Sequence, residues 1–259
     1  MIMLSINPIK AFNDNYIWCV EKNGEAIIVD PGDAAPVLLY LEQQQLKLNS
    51  ILITHHHYDH VGGLELLCDA NPSISVYGPH NDCAYITQRV SHGDRIKLFD
   101  GEFEIVEVPG HTLDHIAYFS LDVAEYPLLF CGDTLFAGGC GRLFEGTPEQ
   151  MLASLGLIRE LPSKTAVFCA HEYTLANLNF AKTVDPNNID LQKRYLDAQA
   201  SREQNIPTVP SEMALELLTN PFLRTNIKAI EDSVVKHAQL KQWSEKDIFA
   251  KLREWKDHF

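Results

Sequence analysis

Residues Thr54–His60 read Thr-His-His-His-Tyr-Asp-His and directly follow an apolar run that is typical of a buried strand. Successive side chains of a strand point to opposite faces, so His55 and His57 project to the same side. Asp59 and His60 then fall where a following helix would begin. Imidazole nitrogens and carboxylate oxygens without a thiolate suit zinc, iron or manganese and leave coordination positions open to water. These residues therefore predict a catalytic rather than a structural metal site.

Three further segments place a His or an Asp directly after a predicted strand. They read Pro-Gly-His-Thr at 109–112, Cys-Gly-Asp-Thr at 131–134 and Ala-His-Glu at 170–172. Ligands collect at strand ends in layered α/β proteins, because rigid elements there position short loops. One isolated histidine is more often solvated than metal-bound, but four such motifs in equivalent positions favour a metal centre. His111, Asp133 and His171 are its further candidate ligands.

The strand and helix signals divide the chain into two parts. Up to about Cys169, short runs rich in Val, Ile, Phe and Tyr alternate with Gly, Pro, Asn and Asp. From Leu175 onward, apolar residues recur at helical spacing. We therefore predict an α/β body followed by a smaller all-α domain, with the boundary near Tyr173. The predicted strands are 16–20, 26–29, 50–54, 74–77, 95–98, 103–108, 115–120, 128–131 and 166–169. The predicted helices are 34–45, 63–70, 148–161, 190–204, 211–218, 227–239 and 244–255.

Composition and charge argue against several classes of protein. The 259 residues are 46% hydrophobic, enough for a substantial core, and the net charge of -14 opposes binding to nucleic acid or an anionic membrane. No apolar run approaches the roughly 20 residues of a membrane span, and the N-terminus does not read as a signal peptide. The six scattered cysteines are interpreted as reduced thiols. We expect a cytoplasmic monomer with a small-molecule substrate and neither nucleic-acid nor membrane partners.

The ligand motifs resemble those of the metallo-β-lactamase superfamily, whose H-x-H-x-D-H motif is matched at positions 55–60. The resemblance implies an α/β fold, a four-layer αββα sandwich, as the metal-binding catalytic domain over 1–172. An α-helical substrate-binding domain would follow over 173–259. It also implies two divalent metal ions, with zinc expected and iron or manganese compatible with the same ligands. One metal would be held by His55, His57 and His111, the other by Asp59, His60 and His171, and Asp133 would bridge both.

More specific motifs at 132–146, 171–174 and 220–224 resemble glyoxalase II, the hydroxyacylglutathione hydrolases, over essentially the whole chain. The resemblance implies hydrolysis of S-D-lactoylglutathione to glutathione and D-lactate, in methylglyoxal detoxification, by a hydroxide that two metals activate. Asp59 and Asp133 would then be catalytic. Phe144 stands where some members carry a Tyr, so any hydroxyl contact from that position is lost. The resemblance assigns glutathione binding to Arg142, Tyr173, Arg253 and Lys256.

Alternative functions share parts of this pattern. A nuclease of the superfamily would need a positive surface, which the net charge of -14 opposes. A glutathione persulfide dioxygenase would use a single iron, whereas this chain retains the residues of a second metal site. Another hydrolase of the same fold and a metal-stabilised binding module also remain open. Oxygen uptake with glutathione persulfide, and turnover that depends on metal, would discriminate among these functions.

Several polar residues near the motifs are not expected to bind metal. His56 lies between two ligand positions and should point the other way, into a structural role or a contact with a ligand. Asp114 stands where superfamily members often have Gly, and we expect it to face solvent. Surface or core packing is expected for His80, His92, His115, His237 and His258.

Overall fold

The computed structural model describes residues 4–259, which form two compact units. Unit 1 contains the described residues up to Glu107 together with Asp114–Gly132, and unit 2 contains Val108–Leu113 together with Asp133–Phe259. His111 therefore belongs to the same unit as Asp133 and His171. No helix within residues 4–259 combines the length and the apolar character that a membrane crossing requires.

Unit 1 begins with a six-stranded sheet whose strands follow one another in chain order. They are β1 Ser5–Ala11, β2 Asn15–Lys22, β3 Glu25–Val29, β4 Lys47–Leu52, β5 Ser75–Gly78 and β6 Gln88–Arg89. The first three strands are antiparallel neighbours, whereas β3 to β6 are parallel. The carboxyl ends of parallel strands meet at one edge of a sheet, so the residues after β3 and after β4 lie side by side.

This sheet is buried on both faces. One face packs against α1 Ala34–Gln44 and α3 Leu64–Ala70 in a single apolar cluster that includes Ile17, Ile28 and Ile51. On β2, β3 and β4 the residues of the opposite face are buried as well, namely Trp18, Val20, Ile27 and Leu52. A sheet covered on both sides is what an inner layer of a layered α/β fold requires.

Unit 1 continues with four antiparallel strands in the order β10, β9, β8, β7. They are β7 Arg95–Leu98, β8 Gly101–Glu107, β9 Ile116–Ser120 and β10 Leu128–Gly132. Every residue of β9 and β10 is buried. The Tyr118 hydroxyl donates to the Ile53 carbonyl at 2.9 Å, and the Ile116 amide donates to the Thr54 carbonyl at 2.9 Å. These bonds fasten β9 to the segment that follows β4.

Unit 2 combines short strands with helices. The strands are β11 Leu135–Phe136, which pairs with β12 Gly139–Cys140, and β13 Ala166–Cys169, which pairs with β14 Ser211–Glu212. We call β11, β12 and their turn the 135–140 hairpin. The helices are α4 Pro148–Arg159, α5 Thr174–Val184, α6 Ile189–Glu203, α7 Met213–Thr219, α8 Lys228–Ala238 and α9 Glu245–Asp257, with a 3-10 turn at Pro221–Leu223.

Two helices of unit 2 begin with a capping box. Thr147 and Gln150 form the capping box of α4, and Ser244 and Asp247 form that of α9. Apolar faces of α5 and α6 pack together around Leu178 and its neighbours. The helices observed from Thr174 onward confirm the helical pattern predicted for the end of the chain, and α6 and α9 each combine a side-chain N-cap with buried apolar residues.

Candidate metal centre

Asp30 fixes both ends of the segment Thr54–His60. It follows β3, next to the parallel strand β4, and adopts a positive φ of 52°. Its carboxylate accepts from the Thr54 amide and from the Thr54 hydroxyl, each at 2.8 Å. His60 Nδ1 lies 3.0 Å from Asp30 Oδ2. Asp30 was not among the predicted site residues, although its position directly after an apolar strand is a signal that could have indicated it.

The imidazoles of this segment converge, as the strand-to-loop spacing predicts. The ring of His55 lies 4.8 Å from that of His57 and 4.1 Å from that of His60, measured between centroids. His55 also stacks on the buried ring of His115 at 4.5 Å. His55 Nδ1 lies 3.1 Å from the Thr54 hydroxyl. With Nδ1 of His55 and of His60 against protein oxygens, Nε2 of each ring is the nitrogen suited to a metal.

Asp59 sits at the start of α2, Tyr58–Val61, where the sequence predicts a helix to begin. Asn15 Nδ2 donates to Asp59 Oδ2 at 3.0 Å, and that oxygen lies 3.6 Å from His60 Nε2. Gly32 approaches this segment so closely that a Cβ there would lie 1.9 Å from the Asp59 carbonyl oxygen. Asn15 and Gly32 position the carboxylate through contacts that sequence spacing could not reveal.

The structure corrects the expectation for Asp114. Its side chain is 11% exposed, and its two carboxylate oxygens lie 2.8 Å from His56 Nδ1 and 2.7 Å from the donor Asn81 Nδ2. The prediction that Asp114 faces solvent is therefore wrong, because the carboxylate is needed to bind these two side chains. The structural role expected for His56 agrees with this contact.

Unit 2 brings three of the predicted ligands together. His111 Nε2 and His171 Nε2 each lie 3.4 Å from Asp133 Oδ2, and all three side chains are buried. His111 Nδ1 donates to the Arg142 carbonyl at 2.9 Å, which leaves Nε2 as the nitrogen suited to a metal. Position 141, next to these residues, requires a glycine, because a Cβ there would lie 2.0 Å from the Asp133 carbonyl oxygen.

Aromatic rings support the imidazoles of unit 2. Tyr173 stacks on His171, with centroids 4.7 Å apart and planes within 7°. Phe136 meets the edges of both rings, at 5.8 Å from His171 and 5.2 Å from Tyr173. Phe144 makes a similar edge contact with His111 at 5.2 Å. These contacts fix the planes of the imidazole rings, which a metal ligand requires.

The donor set fits a divalent metal. His and Asp side chains of the described residues form groups that could hold a metal ion. Imidazole nitrogens and carboxylate oxygens are the donors that zinc, iron and manganese accept, and three of the rings keep one nitrogen against a protein oxygen. Burial of a carboxylate such as Asp133 also favours a cation beside it.

Three of the residues predicted to bind glutathione lie around Asp257. Arg142 Nε is 3.5 Å and Arg253 Nη2 is 3.0 Å from Asp257 Oδ1. Burial and the charges of Arg253 and Arg142 lower the pKa of Lys256. We call Arg142, Arg253 and Lys256 the cationic cluster. Tyr173, the fourth predicted residue, lies against His171 instead.

Arg253 is much less accessible than its sequence context suggests. It is 5% exposed, its Nη1 donates to the Cys140 carbonyl at 2.8 Å, and its guanidinium lies 5.0 Å above the ring of Phe222. Burial raises the pKa of the adjacent Cys140 thiol to about 11, despite the lowering effect of Arg253. Arg253 therefore joins α9 to the end of the 135–140 hairpin.

Comparison with known proteins shows the family of the chain. Residues 12–171 match the family model of the metallo-β-lactamase superfamily, which defines the class of the protein. Residues 172–259 match the model described as the hydroxyacylglutathione hydrolase C-terminus. The hydroxyacylglutathione hydrolase of Idiomarina loihiensis is 46% identical, over 98% of this chain and 100% of that protein. The chain belongs to the hydroxyacylglutathione hydrolase family.

Solved structures support the same fold. ETHE1 from Myxococcus xanthus has a TM-score of 0.64 at 22% identity and covers 98% of each chain. A protein crystallised in a di-iron-bound form has a TM-score of 0.54 at 28% identity, over 64% of this chain and 91% of its own. The predicted fold class, a metallo-β-lactamase domain followed by a helical C-terminal domain, is thereby confirmed.

Proposed function

We propose that this protein is a metal-dependent thioesterase that hydrolyses S-D-lactoylglutathione to glutathione and D-lactate, in methylglyoxal detoxification. The observation that carries the proposal is the buried Asp133 carboxylate, placed 3.4 Å from Nε2 of both His111 and His171. The Idiomarina loihiensis relative is named for hydrolysis of hydroxyacylglutathione, and its similarity extends over essentially the whole chain.

We further propose a binuclear centre. The di-iron form of the 28% identical structure supports a count of two, and the donor set favours zinc while admitting iron or manganese. When bound, two such ions lower the pKa of a water and polarise the carbonyl that it attacks. One ion would be held by His55, His57 and His111, the other by Asp59, His60 and His171, and Asp133 would be shared.

The protein residues supply positioning for this reaction. Asp59, oriented by Asn15, would both hold a metal and accept a hydrogen bond from the attacking water. As the oxygen–carbon bond forms, the carbon–sulfur bond breaks and glutathione leaves as a thiolate. A free thiol has a pKa of about 8.5, so this leaving group requires no strong general acid.

The cationic cluster is proposed to bind the glutathione part of the substrate, which carries two carboxylates. The exposed Arg142 and the half-buried Lys256 can reach an anion, and Arg253 contributes its charge while holding the Cys140 carbonyl. Tyr173 would present its ring and hydroxyl beside His171. Phe144 offers only an apolar surface. The segment 173–259 would thus be the glutathione-binding domain, and 1–172 the catalytic domain.

We also propose that the protein acts as a cytoplasmic monomer without nucleic-acid or membrane partners. The net charge of -14 supports only the absence of nucleic-acid and anionic-membrane partners, because it opposes attraction to polyanions. Elution of the purified protein at the volume of a dimer would contradict the monomer.

The direct test is hydrolysis of S-D-lactoylglutathione, followed by the loss of thioester absorbance. We expect turnover that a chelator abolishes and added zinc restores. A small lactoyl thioester without glutathione should be hydrolysed with a much higher KM, because it cannot use the cationic cluster. Metal-independent turnover, or equal KM values for the two thioesters, would contradict the proposal. Oxygen uptake with glutathione persulfide would favour the dioxygenase.

A further inference from the structure

A fully buried carboxylate lies on α7 and is not among the proposed metal ligands. Glu216 is 0% exposed. Its Oε1 accepts from Arg194 Nη2 and from the Ser211 hydroxyl, and its Oε2 accepts from the Gly138 amide at 2.9 Å and from Asn220 Nδ2 at 3.0 Å. A charge at this depth is tolerated only because all of these donors surround it.

The same network binds the turn of the 135–140 hairpin. Asn220 Nδ2 also donates to the Gly139 carbonyl at 2.9 Å and contacts the Phe136 carbonyl at 3.2 Å. Asn177 Nδ2, from α5, donates to the Ala137 carbonyl at 3.2 Å. A two-stranded hairpin has little stability of its own, so these side chains determine where its turn lies.

The two ends of the hairpin carry residues of the proposed site. Asp133 precedes β11 by two residues, and Arg142 follows β12 by two residues. Between them, Phe136 packs against the rings of His171 and Tyr173. A shift of the turn would therefore move a metal ligand, the packing of another ligand and a substrate-binding cation together.

We propose that Glu216 is a positioning residue, which holds the 135–140 hairpin so that Asp133 keeps its place between His111 and His171. The inference rests on the proposed metal-dependent function. Metal sites and catalytic groups tolerate displacements of only about 0.5 Å, and a misplacement of about 1 Å can cost about 100-fold in rate. The helical segment of unit 2 thus contributes to metal retention as well as to substrate binding.

A matched control is available in the same unit. Asp185 is also buried in an ion pair, and its Oδ2 accepts from Arg224 Nη1 at 2.5 Å and from Asn188 Nδ2 at 2.9 Å. These bonds run to the N-cap residue of α6 and to the segment after the 3-10 turn. Asp185→Asn therefore neutralises a comparable buried pair while the bonds of Glu216 and Asn220 to the hairpin stay in place.

The experiment compares Glu216→Gln with Asp185→Asn in the zinc-loaded protein. Both variants should lower the thermal midpoint. Glu216→Gln should also speed zinc release to a chelator by about tenfold or more and lower kcat by a similar factor, whereas Asp185→Asn should change both by less than about twofold. Equal zinc release rates in the two variants would reduce Glu216 to a stabilising residue and overturn the proposal.

A second variant covers the case in which Glu216→Gln does not fold. Asn220→Ala retains the Glu216–Arg194 pair but removes the bonds from Asn220 to Glu216, Phe136 and Gly139. It should also accelerate zinc release, by about threefold or more. Unchanged release from folded Asn220→Ala would overturn the proposal. If the wild-type protein did not hydrolyse S-D-lactoylglutathione, the proposed substrate would be wrong, while the zinc release rates would still decide the role of Glu216.

Discussion

Asp133 carries a carboxylate where only 6% of its surface reaches solvent, with two imidazole Nε2 atoms at 3.4 Å. Removing an ionised carboxylate from water is costly unless positive charge compensates it. Divalent metals between these groups would provide that charge. One carboxylate between two imidazoles is also the simplest arrangement for a ligand that two ions share.

Replacing Asp133 by Asn tests this role. The variant should lose more than about 100-fold in kcat and retain less than the full metal content, because even residues that merely orient ligands are worth about 10- to 100-fold. Asp59→Asn is the matched control, since it makes the same chemical change at a carboxylate proposed to bind one ion. Turnover and metal content are measured on the same samples. A milder effect at Asp133 than at Asp59 would remove the bridging role.

At the scale of single residues, motif spacing indicated candidate metal ligands but not the residues that position them. His55, His57, Asp59 and His60 form a recognisable spacing, whereas Asn15 reaches Asp59 from 44 residues away. The burial of Arg253 likewise depends on the hairpin end that it binds. Such contacts arise only after the chain folds, so motif spacing carries no signal for them.

At the scale of elements, whether a strand or helix was predicted depended on its length and on the periodicity of its apolar residues. All nine predicted strands and all seven predicted helices overlap observed ones. The two-residue strands β6, β11, β12 and β14 were missed, because two residues cannot display a period. Strand β1 was also missed, since Asn7 and Pro8 interrupt its apolar pattern. Helix α5 had no separate prediction, although it falls where helical structure was expected.

Lys256, on helix α9, is expected to affect stability and substrate binding in opposite directions. Burial, then the charges of Arg253 and Arg142, lower the pKa of Lys256, so folding disfavours its charged form. The charged form of Lys256 therefore lowers the free energy of unfolding. This destabilisation is fully present below the folded-state pKa and disappears as the pH rises above the ordinary value of 10.5. Lys256→Met should therefore raise the thermal midpoint most at neutral pH, and the gain should shrink towards pH 10.5.

The same variant should bind substrate less well. We expect the KM for S-D-lactoylglutathione to rise by about tenfold or more with a smaller change in kcat, because a charged contact to a carboxylate is worth about 1.5–3 kcal/mol in both ground and transition states. Lys251→Met, on the exposed side of the same helix, is the control and should leave KM unchanged. An unaltered KM in Lys256→Met would exclude Lys256 from the binding site.

At the scale of the whole molecule, positive charge is concentrated at one place although the net charge is negative. The chain carries 35 acidic and 21 basic residues, yet the cationic cluster places Arg142, Arg253 and Lys256 around the single carboxylate of Asp257. A local excess of positive charge on an acidic protein favours a small anionic ligand over a polyanion, which needs an extended basic surface. Net charge alone thus indicates only which ligands are disfavoured, whereas the fold brings three cations together at one place.

A metal titration tests most directly whether the protein is a thioesterase that works with two metals. Metal-free protein is supplied with zinc in steps, and bound zinc and hydrolysis of S-D-lactoylglutathione are measured on each sample. We predict that turnover reaches its full value only as occupancy approaches about two ions per chain. Full turnover at one ion per chain, or turnover without any metal, would contradict the account.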